Sequence, residues 1–150
     1  MKKRQFKYYP EDFGVLSVKV LHMDLDFDVY DDHANVTSAL KCRTLKRINS
    51  LELNAKSLEI HSVTSSVDCS YKYKGDILTV YFNKPVAKGT DLVVYTKTTC
   101  KPTKNILEGM YYDETPRGAP PTIITQCQQW GFQRIVPCID DMTAKCTYVT

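Results

Sequence analysis

Hydrophobic and polar residues alternate along most of this chain with a period of two. Between residues 21 and 30, Met23, Leu25, Phe27 and Val29 are interleaved with Asp24, Asp26 and Asp28. This is the pattern of a strand with one face buried and the other wet. Asp31-Asp32-His33-Ala34-Asn35 supplies turn residues, and a second alternating stretch covers 36–45. Shorter strands are predicted at 51–55 and 57–63. Residues 67–73 and 77–82 flank Lys74-Gly75-Asp76, a hairpin signal, and the strand at 91–98 follows the Lys88-Gly89-Thr90 turn. No segment of ten residues or more has a convincing helical period. Regularly spaced short strands with turns between them predict an all-β sandwich. Residues 100–121, rich in Gly and Pro, read as a loop crossing between sheets, with Gly118-Ala119-Pro120-Pro121 held extended by its prolines.

The 150 residues predict one domain over 1–150, with residues 1–13 as a leader segment. A chain of this length buries roughly 70% of its unfolded surface. The net charge of +3 is small, and the basic clusters Lys2, Lys3, Arg4, Lys7 and Lys41, Arg43, Lys46, Arg47 are offset by the nearby aspartates. That is a solvated surface rather than the concentrated basic face that nucleic acid requires. No run approaches the ~20 apolar residues of a membrane span, and no signal-peptide core follows the basic N-terminus. The six cysteines (Cys42, Cys69, Cys100, Cys127, Cys138, Cys146) show no C-x-x-C spacing. Reduced thiols and a cytoplasmic location are therefore expected, with neither nucleic acid nor membrane as a partner.

Residues 125–145 read T-Q-C-Q-Q-W-G-F-Q-R-I-V-P-C-I-D-D-M-T-A-K. They resemble the signature near the end of the N-terminal β-domain of the aminopeptidase N family, the gluzincin zinc peptidases. Its pattern is T-Q-x-E or S-Q-x-Q, an Arg-bearing stretch, then P-C-x-D-x-P-x-x-K. Thr125, Gln126, Gln128, Arg134, Pro137, Cys138, Asp140 and Lys145 fall in matching positions. The H-M-D-L-D-F-D-V order of the first strand is similar to the family's opening H-Y-x-L-x-L, and Leu107-Glu108-Gly109-Met110-Tyr111-Tyr112 resembles its G-x-Y segment. The resemblance implies a twisted, saddle-like β-sandwich. It also implies zinc in the catalytic domain of the parent enzyme.

That catalytic domain would carry H-E-x-x-H, two imidazoles one helical turn apart with a Glu beside them as general base. Here His22, His33 and His61 stand 11 and 28 residues apart, and none has ligand spacing. The expectation is therefore a domain without catalytic residues, metal ligands or a cofactor of its own, completed by a catalytic domain in the same protein. The alternative is a stand-alone β-sandwich that serves as a binding or assembly module; a secreted, disulfide-bonded module is a third reading.

Within the signature, Gln126 and Gln128 are the candidate substrate-binding residues. If 123–128 is extended, their side chains emerge on one face. By resemblance this strand end borders the cleft where a peptide substrate's first residue and its α-amine are held, and a carboxamide oxygen can accept from an ammonium. Gln128 stands where much of the family has Glu, which weakens that bond. Gln133 replaces a frequent Arg, and Met142 a Pro. Arg134 and Asp140 are expected to tie the segment together by charge-assisted bonds, Gly109 to relieve backbone strain or permit close backbone approach, and Trp130 to anchor in the core rather than face a substrate. Residues 146–149 read as a strand that further strands follow in the family. With its neighbours missing, that edge is expected to make the isolated chain self-associate.

Overall fold

The computed structural model describes residues 9, 14–120 and 122–150. The described strands are β1 (Val18–Val29), β2 (Ala34–Thr44), β3 (Ile48–Asn54), β4 (Glu59–Ser65), β5 (Cys69–Lys74), β6 (Ile77–Val86), β7 (Asp91–Cys100), β8 (Gly109–Asp113), β9 (Thr122–Gln126) and β10 (Thr147–Val149). Among the described residues a single 3-10 turn, Phe132–Arg134, interrupts them. The chain is all-β, as its alternation predicts. No helix among the described residues is long and apolar enough to cross a membrane.

Strand order is β10-β1-β2-β7-β4 in a five-stranded sheet, β3-β6-β5 in a three-stranded sheet, and β8-β9 in a two-stranded ribbon. Neighbours are antiparallel except β1 and β10, which pair in parallel with His22 opposite Thr147. Alternation is strictest in β2: Ala34, Val36, Ser38, Leu40, Cys42 and Thr44 are all buried, and the residues between them are not. One continuous core joins this face to the three-stranded sheet, with Leu40 paired across to Val94 and Leu53 to Leu78. Leu53, Leu78, Val80, Leu92 and Val94 have no exposed surface at all; each such side chain contributes about 1.5–3 kcal/mol of burial. Two polar intruders, Ser38 and Thr96, satisfy each other at 2.7 Å.

The strands expected at 21–30, 36–45, 57–63, 67–73, 77–82 and 91–98 all form, with ends displaced by a few residues. Two departures matter. β3 starts at Ile48, upstream of the expected 51, and 100–121 is more than a crossing loop because it contains β8. The leader assigned to 1–13 lies outside the described residues apart from Tyr9. All six cysteines are free thiols, with Cys42, Cys100 and Cys138 buried.

The C-terminal segment is fastened to the sandwich by backbone bonds. Asn54 and Cys138 exchange N–H to carbonyl bonds of 2.7 and 3.0 Å, and Lys56 N–H donates to Gln133 O at 2.8 Å. Phe132 then meets Tyr148 of β10 edge to face, with centroids 5.8 Å apart. These contacts fix the 3-10 turn, and through it the loop that precedes it.

Candidate functional site

Two glycines bring the end of β9 into a defined shape. Gly109 opens β8 with φ +72°, and a Cβ there would stand 2.6 Å from Cβ of Arg134. Gly131 is tighter still: a Cβ would meet the carbonyl oxygen of Gln126 at 2.2 Å and the amide nitrogen of Gly109 at 2.9 Å. The 127–131 loop therefore folds with its backbone directly against the ends of β8 and β9. Gly131 N–H closes it onto Cys127 O at 3.2 Å, and Arg134 N–H onto Gly131 O at 3.1 Å. The turn holds two consecutive non-glycine residues in the left-handed region, Gln129 (φ 57°) and Trp130 (φ 70°), at about 1–2 kcal/mol each.

That turn delivers Gln126 and Gln128 to one place. Gln126 ends β9 opposite Gly109, while Gln128 lies beyond the strand, in the turn. Gln126 Nε2 donates to Gln128 Oε1 across 3.4 Å, a long contact between two exposed amides. With Asn105, Ile106, Leu107, Glu108 and Gln129 they line an open depression of about 480 Å³. Thr125 and Cys127, the alternate residues, line a separate apolar groove of about 670 Å³ with Leu25, Phe27, Phe132 and Ile135. The strand end thus sorts its side chains, amides to one side and small groups to the other.

The charged residues of the signature act as ties, and not to each other. Arg134 Nε donates to Glu108 Oε2 at 3.1 Å; its own side chain is 11% exposed and that of Glu108 43%. Asp140 accepts the Gln133 N–H at 3.2 Å, and its own N–H donates to Asn54 Oδ1 at 3.1 Å. Burial raises the Asp140 carboxyl above its ordinary pKa, and the Gln133 N–H partly opposes this. Burial likewise pushes the Cys127 and Cys138 thiols up, so both stay protonated at neutral pH and are poor nucleophiles. Each histidine is engaged by the sandwich: His22 with Thr147 at 2.6 Å and Asp24 at 3.1 Å, His61 with Thr99 at 2.7 Å, and His33 with Asp32 at 2.6 Å. Among the described residues no three His, Cys, Asp or Glu side chains converge as a metal site would require.

The sequence matches the Peptidase M1 N-terminal domain family over residues 8–150. The chain belongs to this family. Among its relatives is leukotriene A-4 hydrolase of Xenopus laevis, 25% identical over an alignment of 147 residues that covers 93% of this chain and 24% of that protein. An M1 zinc metallopeptidase from Deinococcus radiodurans, solved as a mutant bound to a Tyr-Ser-Ala substrate, superposes with a TM-score of 0.71. It is 14% identical, and the match covers 88% of this chain and 31% of that one; at that identity the likeness shows the fold. The chain spans about a quarter of the length of the curated relative.

Three residues of this M1 N-terminal domain play parts that sequence reasoning did not assign. Trp130, expected in the core, is 48% exposed and sits in a turn with a left-handed backbone. Glu108, noted only as a neighbour of Gly109, is the carboxylate that lines the same depression as the two glutamines. Gly131 is the contact that seats the loop. A signal for Glu108 was present: it adjoins the glycine that must meet the signature strand, so its side chain has to emerge beside that strand's end.

Proposed function

We propose that this M1 N-terminal domain forms one wall of the substrate cleft in a zinc-dependent aminopeptidase, where Gln126 and Gln128 receive the α-ammonium of a peptide's first residue. The observation that carries the reading is the convergence of these two carboxamides, 3.4 Å apart, in an exposed depression at the end of β9. Amides spent on the fold would be bonded to backbone; these bond weakly to each other and keep acceptor capacity for an incoming N–H. Ordering them in advance by the Gly109–Gly131 contact lowers the entropy lost when a ligand binds. A peptide is the substrate named for the Deinococcus radiodurans structure, which supports the substrate class.

The chemistry belongs to a catalytic domain of the same protein. Zinc held there would polarise the scissile carbonyl and activate water, while the residues of this chain bind and orient. In this reading the chain binds and orients, and its three histidines stay engaged with the sandwich. A cytoplasmic setting fits the six free thiols. When the domain is isolated, the outer edge of β10 is unpaired among the described residues and offers a pairing surface for a second copy.

The test compares the full-length protein with residues 1–150 alone. The full-length protein is expected to hold stoichiometric zinc and to release N-terminal residues from peptides in a chelator-sensitive way, and the isolated domain to do neither. Zinc-dependent release by the isolated domain would overturn the proposal, as would a full-length protein without that activity.

A further inference from the structure

The depression beside Gln126 and Gln128 is built for more than an ammonium group. Its lining has three kinds of surface. Gln126, Gln128 and Gln129 provide amides; Ile106 and Leu107, both exposed, provide an apolar wall; Glu108 provides the one charged side chain among the described lining residues. Arg134, nearly buried, holds only one carboxylate oxygen of Glu108, through Nε at 3.1 Å. The other oxygen has no hydrogen-bond partner among the described residues. A pinned carboxylate next to an exposed aliphatic wall suits a ligand with an extended methylene stem and a cationic tip, the chemistry of a Lys or Arg side chain.

Resting on the reading of Gln126 and Gln128 as the amine-binding pair, we infer that Glu108 is a specificity-determining residue that selects peptides with Lys or Arg as the first residue. The α-ammonium is held by the glutamines. The side chain lies along Ile106 and Leu107, and its cation meets the free oxygen of Glu108. Because the carboxylate is partly exposed, its attraction is that of a surface pair. The preference it confers is accordingly modest, roughly fivefold, and it weakens as salt is raised.

The experiment uses the full-length enzyme and aminoacyl anilides of Lys, Arg, Leu and Met. Glu108→Gln is expected to lower kcat/KM for Lys and Arg about fivefold while leaving Leu and Met within about twofold. Since Glu108→Gln leaves the Arg134 guanidinium without its counter-charge, the double variant E108Q/R134Q is measured alongside, with the same selective loss expected. Uniform loss across all four substrates in both variants would mean that Glu108 serves only to hold Arg134, and unchanged selectivity would equally overturn the inference. Gln128→Ala separates the two layers: it should weaken all four substrates alike. If Gln128→Ala does so while Glu108→Gln is unselective, the amine site stands and the Glu108 inference falls. A silent Gln128→Ala sinks both.

Discussion

Every second side chain is buried along the eleven residues of β2, whereas none of the five in β9 is fully buried. Both are bonded strands, but different forces hold them. β2 lies between β1 and β7 and is fixed by what its side chains bury. Among the described residues β9 pairs only with β8, and it is fixed by backbone packed on backbone, at Gly109 and Gly131, with the Arg134–Glu108 tie beside it. The second arrangement frees side chains. A strand whose residues are not needed by the core can present Gln126 to a ligand, and the loop after it can add Gln128. The difference between the two regions is thus a division between stability and presentation.

The largest expected effect strikes the first region. Leu53→Ala removes a fully buried side chain from β3 and should cost about 2–5 kcal/mol in denaturant unfolding. Because Asn54, the next residue, carries the bonds to Cys138, the C-terminal segment should be lost in the same transition. Gly131→Ala comes next. Its Cβ would overlap the Gln126 carbonyl, and overpacking of this kind costs about 1–3 kcal/mol. Here the damage should stay local: hydrogen exchange should accelerate in β8, β9 and the 127–131 loop, while β2 and β7 keep their protection. Equal deprotection of β2 would erase the distinction between the regions.

The two regions also differed in how far the sequence could be read. β1 and β2 were legible because a half-buried strand must alternate: β2 does so over all eleven residues, and β1 does so from Met23 to Phe27, past the irregularity between Val20 and His22. β8 was hidden because Gly109-Met110-Tyr111-Tyr112-Asp113 is short and does not alternate; it forms because β9 is there to pair with it. Gln126 and Gln128 could be named in advance from the resemblance of their motif, and the structure brings them together. Glu108 was legible only as the neighbour of Gly109, since the contact that sets it beside the signature strand joins segments distant in sequence. Trp130 was misplaced because its size argues for burial, while its position at a left-handed turn overrides that argument.

A smaller effect probes the junction between the regions, at Asp140. Burial raises its pKa in the folded chain, so the folded form keeps this proton to a higher pH than the unfolded form does. Its contribution to stability therefore falls as pH rises from about 4 through the raised value, and is level above that. Asp140→Asn should flatten this part of the thermal stability profile and leave Tm at neutral pH unchanged or slightly raised. A clear loss of Tm at neutral pH would mean that the ionised carboxylate, through its bond to the Gln133 N–H, stabilises the turn.

The sharpest test of presentation against stability is Gln128→Ala in the full-length enzyme, followed by both kcat/KM and Tm. An exposed amide that receives the substrate's amine should cost roughly 1–3 kcal/mol of transition-state binding, about a five- to 150-fold fall in kcat/KM. Tm should move by no more than a surface substitution allows, within about 0.5 kcal/mol of stability. Full activity in the variant, or activity lost only in step with unfolding, would contradict the account and make Gln128 part of the scaffold.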